Sequence, residues 1–77
     1  MNNNEIDFKI IKELGILYEN PNDDGWDKVV NIVSWGGKAP KLDIRSWNKD
    51  RTRMGKGVTL SKSELEEFID MVKDIDF

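Results

Sequence analysis

Between Lys41 and Trp47 the chain changes character at every residue. Leu42, Ile44 and Ser46 fall on one parity; Lys41, Asp43, Arg45 and Trp47 fall on the other. Successive side chains of a strand point to opposite faces, so a period of two marks a strand with two unlike faces. The second parity is not an ordinary solvated face, because it carries a tryptophan and long basic side chains instead of neutral polar residues. The same mixture extends on both sides, from Trp35 through Lys38 to Met54-Gly55-Lys56-Gly57-Val58-Thr59-Leu60.

Charge is distributed to match. The 77 residues carry a net charge of −3, which taken whole argues against a nucleic-acid partner. Residues 1–37 and 57–77 are each net −4, whereas residues 38–56 are net +5. In that middle segment Lys38, Lys41, Arg45, Lys49, Arg51, Arg53 and Lys56 face only Asp43 and Asp50. Fields screened beyond about 8–10 Å follow such clustering more than the total.

The length allows one domain, residues 1–77, with a small core and no disulfide to reinforce it, since cysteine is absent. Self-association is a natural expectation for such a chain. Histidine is absent too, so the commonest general base, the strongest nucleophile and most transition-metal ligands are missing. An enzyme is not expected, nor a cofactor or metal. The start, Met1-Asn2-Asn3-Asn4-Glu5, has no basic or apolar leader character, and no apolar run reaches membrane-spanning length. The expected setting is the cytoplasm, nucleoid association included, with no membrane partner.

Residues 1–6 are polar and read as frayed. Asp7–Glu19 is rich in Ile and Leu. Helical spacing of Ile10, Leu14 and Leu17 competes there with a strand reading favoured by β-branched and aromatic content, bent or bulged at Gly15. Asn20-Pro21-Asn22-Asp23-Asp24-Gly25 is a turn. A second strand runs from Trp26 to Trp35, its parities (Val30, Ile32 against Val29, Asn31, Val33) leaving open which side faces the core. Gly36-Gly37 makes a tight hairpin connection. Asn48–Thr52 is a polar turn before a fourth strand ending at Leu60. Gly55 and Gly57 flank Lys56, permitting close approach of another backbone or a ligand, or a bulge that bends the sheet. Ser61 and Glu64 form a capping box for a closing helix, on which Leu65, Phe68, Ile69, Val72 and Ile75 make one apolar stripe. The order is four strands and then one helix, an α+β arrangement.

The binding candidates are Trp35, Lys38, Lys41, Arg45, Trp47 and Lys56, with Arg53 and Trp26 behind them. Unpaired bases stack on displayed aromatic rings at about 1–3 kcal/mol each, and cations along the same groove take the phosphates. Arg45 could also stack a base with its guanidinium plane. A plainer reading fits the same residues: Trp35 and Trp47 pair across strands and close the core, while Lys38 and Lys41 guard a strand edge. Single-stranded RNA and a protein partner on the helix stripe are the rival ligands.

The run Lys41-Leu42-Asp43-Ile44-Arg45, the strand Gly55-Lys56-Gly57-Val58-Thr59-Leu60, Leu65 on the helix and the closing Lys73-Asp74-Ile75-Asp76 resemble the transcriptional positive cofactor four family, its bacterial YdbC-like branch above all. The likeness spans Lys28 to Asp76. It implies a curved four-stranded antiparallel sheet followed by one C-terminal helix, dimerising through the helices. It also implies sequence-independent binding of single-stranded DNA on the concave face, in transcription regulation or DNA maintenance. By position, Trp35 matches a base-stacking aromatic residue, and Lys38, Arg45 and Lys56 match basic residues of the groove. Lys38 and Lys41 compete for one match because the hairpin is a residue longer here. Trp47 matches one of an aromatic pair whose other place holds Asn48. The resemblance turns Val30 and Ile32 toward the helix and Asn31, Val33 and Trp35 toward the groove, and gives Leu65, Phe68, Ile69, Val72 and Ile75 to the dimer interface. Beyond DNA and a second copy, RNA polymerase or other DNA-processing proteins are the partners such a role implies.

Overall fold

The computed structural model describes residues 7–77, so the expected fraying of residues 1–6 lies outside the described residues. Four strands, β1 (Phe8–Tyr18), β2 (Asp27–Trp35), β3 (Lys41–Trp47) and β4 (Met54–Leu60), are followed by one helix, α1 (Lys62–Val72). The strands form one antiparallel sheet in the order β1-β2-β3-β4. This is the expected α+β architecture.

Local chemistry explains the connections. Gly36 and Gly37 both take positive φ, 58° and 75°, which only glycine adopts cheaply, and the Lys38 N–H closes the turn on the Trp35 carbonyl at 3.0 Å. The Ser34 hydroxyl donates to the Lys38 carbonyl at 2.7 Å, holding the loop against β2. Ser61 caps α1 by accepting the Glu64 N–H, and the Glu64 carboxylate accepts the Ser61 N–H at 2.8 Å. The Ser61 N–H above all, and then the Ser61 hydroxyl, favour the charged carboxylate and lower the Glu64 pKa. The helix ends at Val72, so Ile75 lies beyond the element that carries the rest of its stripe.

β1 is a strand, not a helix, and it is bent more than Gly15 alone predicts. Its pairing with β2 shifts register three times, between Ile10 and Lys12, Glu13 and Gly15, and Ile16 and Tyr18. Each bulge bends the strand and adds twist.

Direct cross-strand partners share a face. One face holds Val29, Arg45 and Gly57; Asn31, Asp43 and Thr59; and Asp27, Trp47 and Met54. The other holds Val30, Ile44 and Val58; Ile32, Leu42 and Leu60; and Lys28 with Ser46. The first face, here called the inner one, contains every buried residue among those described: Asp27, Val29, Asn31, Val33, Asp43 and Trp47. Asn31 and Val33, expected to line a groove, are instead its sealed floor. The outer face is only half-covered. The backbone of α1 comes close to β3 and β4 but not to β2, and Val30 and Ile32 are half-buried. No residue of α1 is buried.

Candidate nucleic-acid interface

The interface begins with a hydrogen-bonded arginine. Asp43 and Arg45 are two residues apart on one strand and therefore side by side on the inner face. Arg45 Nε donates to Asp43 Oδ1 at 2.7 Å and Nη2 to Asp43 Oδ2 at 2.8 Å, a bidentate pair with the carboxylate fully buried. Arg45 Nη1 donates to the Gly55 carbonyl at 3.3 Å, with Met54 Sδ at 3.8 Å. A Cβ on Gly57 would overlap the Cβ of Arg45 and the Ile44 carbonyl, so glycine there is what lets β4 pass so close. The register also shifts between Arg45 and Trp47, so close approach and sheet bending occur together.

Above this frame sits Trp35, half-buried at the end of β2. The Arg45 guanidinium carbon lies 4.9 Å from its ring centroid, within cation–π range. The Phe8 ring lies 5.5 Å from Trp35 at 39° and 6.0 Å from Trp47 at 52°. Phe8 thus stands between two tryptophans that do not pair with each other. The indole N–H of Trp35 is buried without a protein partner, so the part of the ring that meets solvent is carbon. Such a surface suits stacking.

Trp35 and Arg45 line a depression of about 320 Å³ together with Lys38, Ala39, Lys41 and Thr59. Its size falls at the small end of ligand sites. Both lysines are exposed, and among the described residues neither forms an ion pair. Neither is an edge-strand charge, because Lys41 begins β3 and Lys38 lies in the β2–β3 connection, and neither of those strands is outermost.

The remaining candidates are dispersed. Trp47 is 2% exposed and belongs to the core. Asn31 is equally buried, beside Asp43. Trp26 and Arg53 border a separate depression of about 330 Å³ with Asp23, Asp24, Lys49 and Asp50. Lys56 lies with Lys28, Ile44, Ser46 and Val58 in a third, on the outer face, which Arg45 also borders. Two cations of the basic segment are committed elsewhere: Lys49 and Arg51 hold the buried Asp27 carboxylate at 2.9 and 3.1 Å, and the Asn20 N–H donates to it at 2.9 Å. The Lys49 bond above all, then the Asn20 N–H, lowers the Asp27 pKa to about 2. This cluster ties the β1–β2 loop to the β3–β4 loop.

Residues 22–71 match the family model described as Transcriptional Coactivator p15 (PC4). The chain belongs to that family. A protein of Treponema pallidum (strain Nichols), described as uncharacterized, is 33% identical over 73 residues, covering 95% of this chain and 84% of its own. The PC4 segment includes Trp35, Lys38, Lys41, Asp43, Arg45 and Thr59, and thus the whole Trp35 depression. Phe8 lies outside it, at the start of β1. Sequence reasoning missed Phe8 because nothing local marks a ring that reaches two tryptophans from a neighbouring strand. It also counted Asp43 as an opposing charge, although the alternation already placed that carboxylate beside Arg45.

Proposed function

We propose that this chain is a homodimeric, sequence-independent binder of single-stranded DNA serving transcription regulation or DNA maintenance. The observation that carries the reading is one depression in which a half-buried indole meets two exposed lysines that form no ion pair among the described residues. An aromatic face stacks any base, and exposed cations take the flanking phosphates, which gives affinity without base readout. Membership of a transcriptional coactivator family supports the same role.

Self-pairing draws on a different observation. Phe68, Ile69 and Ile75 are 44%, 53% and 59% exposed, and the outer face of the sheet beside them is half-covered. A second copy laid across these surfaces would bury the apolar stripe that one chain leaves open.

The test is a tryptophan-fluorescence titration with oligo-dT, a matched RNA and a duplex at two salt concentrations. Quenching by the unpaired DNA that weakens steeply with salt is expected. Preference for the duplex, or no quenching at low salt, refutes the assignment; tighter binding of the RNA replaces the ligand while keeping the surface.

A further inference from the structure

We propose that Arg45 serves binding as a positioning residue for Trp35, holding the indole in its stacking orientation, and is not itself a phosphate ligand. This rests on the reading of the Trp35 depression as a site for unpaired bases.

The guanidinium is already engaged. Its Nε and Nη2 go to Asp43 and its Nη1 to the Gly55 carbonyl, and the side chain is 15% exposed. Asp43, fully buried, neutralises it at contact distance. A cation neutralised in this way carries little condensed counterion exchange to a phosphate. What the guanidinium carbon does lie over is the Trp35 ring, 4.9 Å from its centroid. Asp43 fixes the fork, the bare backbone of Gly57 leaves the room, and the fork holds the ring. Lys38 and Lys41, exposed on the same depression, form no ion pair among the described residues. Charge neutralisation and base stacking therefore belong to different residues here: the lysines do one, and the Asp43–Arg45–Trp35 chain does the other.

A lysine can replace an arginine as a point charge but not as a bidentate, planar clamp. That difference supplies the test. Oligo-dT affinity is measured across a salt series for the wild type, Lys38→Ala, Arg45→Lys and Arg45→Met, and the indole N–H resonance of Trp35, assigned with Trp35→Phe, is followed in the free proteins. Lys38→Ala should reduce the slope of log K against log salt by about 0.7, one phosphate contact on a single strand. Arg45→Lys and Arg45→Met should both weaken binding about tenfold at every salt, as loss of a well-held stacking contact does, with the slope unchanged. The Trp35 resonance should move in both free variants while the buried Trp47 resonance stays, which also shows that they fold. If Arg45→Lys restores wild-type affinity and Arg45→Met lowers the slope like Lys38→Ala, or if the Trp35 resonance does not move, the proposal is overturned. Failure of the wild type to bind oligo-dT would remove the DNA reading, while the resonance of the free variants would still decide whether Arg45 positions Trp35.

Discussion

Asp43 and Arg45, two residues apart on β3, are joined by two parallel hydrogen bonds of 2.7 and 2.8 Å beneath the candidate binding surface. Removing one partner of a buried pair leaves the other charge uncompensated, at about 3–5 kcal/mol. Asp43→Ala should therefore lower stability by about 3 kcal/mol in urea unfolding and loosen Arg45 as well. A loss below about 1 kcal/mol, the range of a surface pair, would show that the bond is incidental.

Two tryptophans of the same face should respond differently. Trp47 is a core side chain, so Trp47→Ala should cost about 3–5 kcal/mol, much of the stability a domain this small possesses. Trp35 is only half-buried, and Trp35→Ala should leave a cooperative melt while weakening oligo-dT binding at least about tenfold. Thermal melts and titrations of the two variants check this. Equal effects on folding would contradict the division.

Lys38 and Lys41 predict a graded electrostatic loss. Lys38→Ala/Lys41→Ala should reduce the salt slope of oligo-dT binding by about 1.4, two phosphate contacts. Lys49→Ala should barely change that slope, because Lys49 is engaged with Asp27. The reverse order would relocate the phosphate path to the β3–β4 loop.

Asp27 makes stability depend on acid. Its carboxyl has a pKa of about 2 in the folded chain against an ordinary 3.8, so the folded state binds the proton more weakly than the unfolded one. The stabilisation is complete above about pH 4 and is lost as pH falls toward 2. The gap in melting temperature between the wild type and Asp27→Asn should stay level from pH 7 to about 4.5 and narrow below it. A gap that holds constant down to pH 2.5 would mean that the Lys49 and Arg51 bonds do not favour the charged form.

The apolar stripe of α1 should control assembly. Wild-type protein is expected to sediment as a dimer, and Phe68→Glu/Ile69→Glu as a folded monomer, since both positions are open in the single chain. A monomeric wild type would leave the stripe for a different protein.

Much of this was legible in the residues. The alternation from Lys41 to Trp47, the Gly36-Gly37 turn and the Ser61–Glu64 box each specify local structure through short-range sterics or hydrogen bonds, and each element formed as read. What the residues left open was the side of the sheet that holds the core. Val30 and Ile32 look no less apolar than Val29 and Val33, yet the latter are the buried pair, on the face where β1 shifts register three times and Phe8 reaches Trp47. Curvature is a sum over strands and is invisible in any one of them. The basic segment shows the same limit. Seven cations in nineteen residues read alike, but Arg45, Lys49 and Arg51 are bound by carboxylates and only the geometry distinguishes them from Lys38 and Lys41.

The broken register of β1 has one more effect. An outermost strand of eleven residues, with Ile10, Ile11, Leu14, Ile16, Leu17 and Tyr18 largely uncovered, is the kind of segment on which a foreign backbone could add and fibrils could grow. Three dislocations within that length interrupt the regular row of amide and carbonyl groups that such growth copies. The bends that break the ladder of β1 thus deny the sheet a template for its own polymerisation.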